Sequence, residues 1–564
     1  MLRGRRAITL CLACWSVPLL LPGSAAASIG IESFSPSLAT AQAGAHPDLN
    51  VDFSFEHPGE PETALTAAVE LPLGFFLYPG LAPRCTDNQF ATLECPISSQ
   101  VGVVTIHGSH EGNPDFELGT APVYMRTREN GELAHFAFVI PTVGAVVNVP
   151  VTTTAETDYA PMLFFEGLPE ATPIASIDFE LWGIPAAPDH DAFRFPIVPG
   201  GRPSNVPEEP FTRNPTACGE TNSTLYAASY EDFSNPSTMT VSSPSIVGCG
   251  NLGHPYSLEF ALGSTETATA AGLEVELLNP QDLAPAGLSS PDLESASVFV
   301  DGLEIDEGAA SALSVCTPAQ AHLGDNDPAD CPPGSKIGTL TAAVAGTEDP
   351  LAGSVYFGAA EPSGEYEVFL VATGSGIELK IPAWLNSGVE IPELPQLPLA
   401  KLDVRVDPAT SVLLTPPACG TFDAFGEVTN WSDPFGASVI DGSFTIDSGP
   451  GGGLCPVPAG PRQTQTPPSA MPATTPRPIV KLLRRPPHRS HDRTPTFRFT
   501  SSVAKSTFEC KVDHRSWRSC HSPQTLRKLP LGSHTFRIRA IAPAGEKSAV
   551  AIYRFVIAPR RRPA

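Results

Sequence analysis

Three groups of residues in this sequence have the types and spacing that chemistry needs. Asp189, His190 and Asp191 stand together in LWGIPAAPDHDAFR, an imidazole between two carboxylates, a set that serves either as metal ligands or as an acid–base pair. Asp325, Asp327 and Asp330 in DNDPAD supply closely spaced carboxylates, the donors a hard calcium ion requires. Lys481, Arg484, Arg485, Arg489 and Arg493, with Arg537 and Arg539, gather cations near the C-terminal end, as a polyanion-binding surface would. Each group also has a plainer reading. The triplet suits a solvated loop capping a strand end, and the cations suit a solvated face. The DNDPAD run has no glycine at its sixth position and carries Lys336 where a bidentate Glu would close an EF-hand-type loop, so it reads by default as an Asp/Asn/Pro turn. GSHEG at Gly108 reads as a polar turn. There is no H-E-x-x-H, G-x-S-x-G, P-loop or dinucleotide fingerprint, so the expectation is a chain without catalytic residues, with calcium the one candidate ion.

The cysteines define the elements that would position such residues. Ten of the twelve lie beyond residue 27, and eight of these fall in a pattern written twice. In the first copy come Gly74, CTDNQ from Cys85, CPISSQVGVVT from Cys95, Val123-Tyr124, Gly131-Glu132 with Phe136, and PTACG through Cys218. The same order recurs as Gly302, CTPAQ from Cys316, CPPGSKIGTLT from Cys331, Val355-Tyr356, Gly364-Glu365 with Phe369, and PPACG through Cys419. Cys249 and Cys455 close the copies. So many ordered matches imply a duplicated module. An even set of cysteines implies disulfides and an oxidising compartment. If each module is self-contained, the pairs are Cys85 with Cys95, Cys218 with Cys249, Cys316 with Cys331, Cys419 with Cys455, and Cys510 with Cys520. The absence of C-x-x-C beyond residue 27, and of histidines at zinc-finger spacing, weighs against a cysteine zinc site.

Arg3, Arg5 and Arg6, an apolar run from Ala7 to Leu21 and Ala25-Ala26-Ala27 predict a signal peptide over 1–27. No later stretch approaches the roughly 20 apolar residues that cross a bilayer. An exported protein, extracellular or associated with the cell surface, is therefore expected. The overall charge of −26 hides a split: Ser28 to Pro476 holds 11 Lys plus Arg against 56 Asp plus Glu, and Arg477 to Ala564 holds 20 against 4. Between the two lies PVPAGPRQTQTPPSAMPATTPRP, which lacks the apolar content to bury a core and predicts a semi-rigid spacer.

Alternation sets the fold class. In LNVDFSFE, Leu49, Val51, Phe53 and Phe55 alternate with Asn50, Asp52, Ser54 and Glu56, the pattern of a half-buried strand. Leu273, Val275 and Leu277 repeat it, and Ile177, Phe179 and Leu181 match Leu402, Val404 and Val406. With 62 prolines and 47 glycines interrupting any long helix, the chain reads as short strands and turns. The copies differ most between Phe136 and Cys218, where the first spends 82 positions against 50 in the second. The excess, from Trp182 to Pro215, is the place where an insertion on a rigid scaffold would carry function.

Two resemblances follow from these words. TFRFTSSVAKSTFECKVDHRSWRSCHSPQ and LPLGSHTFRIRAIAPAGEKS, over about Pro478 to Pro559, resemble bacterial Ig-like domains appended to secreted and surface proteins, with Glu546-Lys547 where such domains usually carry Asn and an acidic residue. AGAHPD, CT-x-x-Q, CP-x-x-S-x-[VI]-G, LWGIPAAPDHD and P-x-ACG, over roughly Ser28 to Pro458, resemble exported actinobacterial proteins built from tandem cysteine-bearing β-modules. The second resemblance implies a secreted or surface β-protein and brings no activity with it. The expected organisation is all-β: a signal peptide (1–27), two disulfide-stapled β-sandwich-like modules (28–250 and 251–457), a linker (458–477), a basic Ig-like β-sandwich (478–559) and a basic tail (560–564). The expected function is non-enzymatic, structural, adhesive or ligand-displaying, with anionic envelope polymers or surface proteins as partners and no specific nucleic-acid reading. The alternatives are a secreted glycan or ester hydrolase with its site in 182–215, and a soluble ligand binder with an apolar cavity.

Overall fold

The computed structural model describes residues 29–56, 63–110, 113–360, 365–455, 478, 480–486, 489–490, 493–512, 515, 517–543, 547–548 and 551–557. The expected signal peptide, the linker and the basic tail lie outside these residues, as do Glu546 and the side chains of Lys481, Arg484 and Arg489.

Strand Leu49–Phe55 buries every second side chain, as its alternation requires. It takes its place in a large antiparallel sheet, and the second copy builds another of the same kind. Among the described residues each of these sheets has eleven strands, from Ile31–Leu38 to Ser237–Ile246 and from Ser257–Leu262 to Asp433–Ile446. Numbered along the chain, the strands lie side by side as 1-2-9-4-5-6-7-8-3-10-11 in both. Each sheet curls about a single apolar core, giving a barrel- or sandwich-like body. In the first core Phe165 meets Phe53 and Phe179 edge to face, at 5.3 and 5.1 Å. The second is filled by Leu, Val and Ile, and the void between Leu277, Val298 and Val404 measures about 10 Å³, no more than a single water would take.

All five disulfides join neighbours in sequence: Cys85–Cys95, Cys218–Cys249, Cys316–Cys331, Cys419–Cys455 and Cys510–Cys520. The repeated words around them have local physical causes. In CT-x-x-Q, Gln89 and Gln320 accept from the backbone N–H of Thr86 and Thr317, whose hydroxyls accept in return from the backbone N–H of Gln89 and Gln320, the reciprocal bonds of a capping box. In the V/I-G pair, a Cβ on Gly102 or Gly338 would stand 2.0 or 1.9 Å from the carbonyl of Glu180 or Arg405 on the next strand. Only glycine fits there.

One sequence match is displaced. Tyr124 pairs with Ala137, whereas Tyr356 pairs with Phe369, so Phe369 corresponds to Ala137 and not to Phe136. Because side chains alternate across a strand, this single step changes the face. Phe136 lies in the first core, while Phe369 lies outside the second and covers the Cys316–Cys331 disulfide.

The third module packs a three-stranded sheet (Val480–Arg484, Thr496–Ser501, Gln524–Thr525) on a five-stranded one that includes Gly532–Ile541 and Ala551–Ile557, an Ig-like arrangement. Phe497 stacks on Phe536 at 4.0 Å in its centre. Among the described residues, no helix is long and apolar enough to cross a membrane.

Candidate functional site

The insertion of the first module is held down at its two ends. Trp182, fully buried, follows strand Ile174–Leu181, and the imidazole of His190 stacks on its indole with 4.5 Å between centroids and 8° between planes. The guanidinium of Arg194 approaches the same indole at 5.3 Å and binds Asp191 and the carbonyl of Ala187. Gln100, from the CPISSQ word, donates to the Phe193 carbonyl and accepts from the Phe195 N–H. The DHD triplet is thus divided, with His190 turned inward, Asp191 tied to Arg194, and Asp189 in the same short 3-10 turn.

Inward, His190 Nε2 stands 3.5 Å from Asp48 Oδ1, which also accepts from the Gly183 N–H at 2.6 Å. Asp48 closes the AHPD word, so the AGAHPD and LWGIPAAPDHD words meet in space. Burial pushes the Asp48 carboxyl up, but the hydrogen bonds from His190 and Gly183 outweigh it and hold the group below its ordinary value. On the adjacent strand Glu180 moves the opposite way, raised by burial and then by the Asp48 charge. Asp48 and Glu180 did not stand out in the sequence as site residues. The only available signal was that Asp48 ends a recognisable word.

The DNDPAD run folds around His322, whose Nδ1 lies 3.1 Å from Asp325 and 3.9 Å from Asp327, with Nε2 3.9 Å from Asp330. The ammonium of Lys380 binds the backbone carbonyls of Asp325 and Asp327 at 3.1 and 2.5 Å, and Asn326 donates to Glu156 of the first module. Lys380 therefore places a cation on the backbone of the loop, while the three carboxylates face the imidazole of His322.

No family model matches this chain, and no curated protein matches it. Solved structures give distant likenesses. Latent PorU from Porphyromonas gingivalis is 9% identical over 94% of this chain and 33% of its own, with a TM-score of 0.15. A β-1,2-glucanase from Parabacteroides distasonis is 10% identical over 54% and 36%, TM-score 0.12. The T6 backbone pilin of Streptococcus pyogenes is 10% identical over 81% and 78%, TM-score 0.17. The chain spans about a third of the PorU and glucanase chains.

The end of the insertion delivers a second set of residues. Arg213 binds both carboxylate oxygens of Asp292 in the second module, at 2.8 and 3.1 Å, with both side chains fully buried. Thr216 of the PTACG word donates to Asp292 Oδ2 and accepts from its N–H. Burial opposes the guanidinium charge, and Asp292 with Tyr78 more than restores it, so Arg213 holds its proton beyond the ordinary range. Beside this pair Tyr78 shares a hydrogen bond with Ser289, and elsewhere between the modules Gly80 N–H donates to the Gly346 carbonyl and the Tyr159 hydroxyl accepts from Lys380 N–H and donates to the Glu378 carbonyl. Phe76, Tyr78, Leu133 and Tyr159 belong to the apolar cluster of the second module.

The cations of the third module divide among several partners. Arg485 forms an ion pair with Glu427 of the second module at 2.8 Å and lies over the Tyr553 ring. Arg493 binds the Leu529 carbonyl, and Arg539 binds Glu509 and covers Trp517 at 4.4 Å. Arg537, half-buried, lies directly opposite Lys511 across the sheet, and the Lys511 ammonium lies 5.3 Å from the Trp517 ring centroid.

Proposed function

We propose that this protein is a non-enzymatic exported element of the cell surface, in which two acidic modules act as one rigid body for structure or display, and the basic Ig-like module attaches it to anionic envelope polymer. The observation that carries this reading is the buried Arg213–Asp292 pair between the modules. A fully desolvated, bidentate ion pair tolerates little displacement, because separating the charges leaves each unpaired in a low dielectric. Inside the second core the void takes about one water, which supports structure over ligand storage there, whereas the cleft of about 560 Å³ in the same module is lined by Lys336, Arg405 and Asp407 beside Leu273 and Ile337. Attachment is supported by the Lys511–Arg537 juxtaposition, since like charges directly opposite on a sheet cost stability that an overlying anion would offset.

The test is co-sedimentation of the full chain with isolated cell envelope across a salt series. Pelleting at low salt and release as salt rises support electrostatic attachment. A chain that stays in the supernatant at low salt refutes it.

A hydrolase is the second reading, favoured by the opposed shifts of Asp48 and Glu180 beside His190. Against it, His190 is 7% exposed and Trp182 not at all, so a substrate meets little of the imidazole and none of the indole. Turnover of chromogenic esters or glycosides, abolished in Glu180→Gln, would favour this second reading.

A further inference from the structure

The cluster at the base of the insertion has a use that rigid display does not require. Carboxylate oxygens of Asp48 and Glu180 and a ring nitrogen of His190 lie within 4.8 Å of one another. They come from three separate segments: the turn before Leu49–Phe55, the strand Ile174–Leu181, and the 3-10 turn Pro188–Phe193. We propose that Asp48, Glu180 and His190 form a structural site for a divalent cation of the zinc class, which ties the insertion to the sheet.

The geometry suits the ion. Two donors each about 2.0–2.1 Å from a tetrahedral zinc stand about 3.4 Å apart, and His190 Nε2 and Asp48 Oδ1 are separated by 3.5 Å. The imidazole is already oriented by its stack on Trp182, so binding orders little that is not ordered beforehand.

Two further buried polar atoms belong to residues beside Glu180. Asn50 is paired with Glu180 in the strand register, and its Oδ1 is buried without a hydrogen-bond donor, an acceptor that a cation or its bound water would satisfy. The indole N–H of the fully buried Trp182 makes no hydrogen bond of good geometry, yet it stands near enough to the Glu180 carboxylate to favour its ionised form, as an orienting group behind a ligand does.

The comparison with other carboxylate clusters sharpens the assignment. At Glu274, Glu276 and Asp403, Lys401 and Arg405 supply the positive charge, and at His322, Asp325 and Asp327 Lys380 binds the neighbouring carbonyls. The groups acting on the Asp48 carboxyl are His190 and Gly183, and those acting on Glu180 are Asp48, His190, Asp178 and Trp182, none of them a Lys or Arg. One imidazole with oxygen donors selects zinc or a similar transition ion over calcium, which takes oxygen ligands.

The experiment is calorimetric titration of the chelator-stripped full chain with zinc chloride, alongside thermal melting and zinc X-ray absorption. Expected are one tight equivalent, a higher Tm with zinc, and a shell of one nitrogen with oxygens. Glu180→Gln, close in shape, and His190→Ala should each weaken binding by about 10- to 100-fold or more. His322→Ala should leave it unchanged. Three results would overturn the site: no binding by the full chain, undiminished affinity in Glu180→Gln with an unaltered metal-free melt, or loss of binding in His322→Ala instead.

Discussion

Arg213 Nη2 lies 2.8 Å from Asp292 Oδ1, both side chains are fully buried, and the two residues belong to different copies of the repeated module. The pair therefore ties one copy to the other. Thr216 and the Ser290 carbonyl complete the shell around the pair, leaving the Arg213 Nε–H as the buried atom of the guanidinium without an acceptor.

Removing one partner strands the other charge in the interface. Arg213→Ala should cost about 3–5 kcal/mol and split the denaturation curve into separate transitions for the two modules, measured by guanidinium melts. Arg213→Met combined with Asp292→Leu should recover most of the loss, because no charge is then left unpaired. A single transition of wild-type midpoint in Arg213→Ala would show that the remaining contacts between the modules, such as Arg84–Glu348 and Asn326–Glu156, suffice to couple them.

Arg485 links the third module to the second through Glu427 and is braced by Tyr553, whose hydroxyl donates to the Pro486 carbonyl. Glu427→Gln should loosen this docking by roughly 1 kcal/mol, the loss of a half-buried pair. Limited proteolysis between the modules should accelerate accordingly, with the melt of the third module unchanged.

Stability should fall as pH rises from about 4 to 7. Burial pushes the Glu294 carboxyl up to about 7, with Thr429 and Arg485 only partly opposing it, and burial followed by the Asp178 charge pushes Asp52 up to about 6. Between the unfolded and folded pKa values the folded chain keeps protons that the unfolded chain releases. The contribution is therefore complete below about pH 4.3 and lost on passing pH 6–7. Glu294→Gln should flatten the Tm profile over this range, as followed by calorimetry.

Arg537→Thr removes one member of the Lys511–Arg537 pair without touching the core. It should leave the third module as stable as before or about 0.5 kcal/mol more so, and it should lower the salt concentration that releases the chain from envelope. Unchanged release would move the contact away from this face.

Local physics is legible in this sequence, and contacts between distant residues are not. The strand Leu49–Phe55, the capping box of Thr86 with Gln89, the tandem copies and the five neighbouring disulfides all follow from spacing, turn chemistry and repetition, interactions that reach a few residues along the chain. Phe136 and Phe369 mark the edge of that legibility, since matching letters one step out of register fall on opposite faces. The insertion was visible as excess length, but its partners were not. His190 finds Asp48 across 142 positions and Arg213 finds Asp292 across 79, and no periodicity records such pairings. Only the curling of each sheet, which brings strand ends and the insertion to one place, decided that Asp48, Glu180 and His190 come together and that the two repeated modules bury the Arg213–Asp292 pair between them.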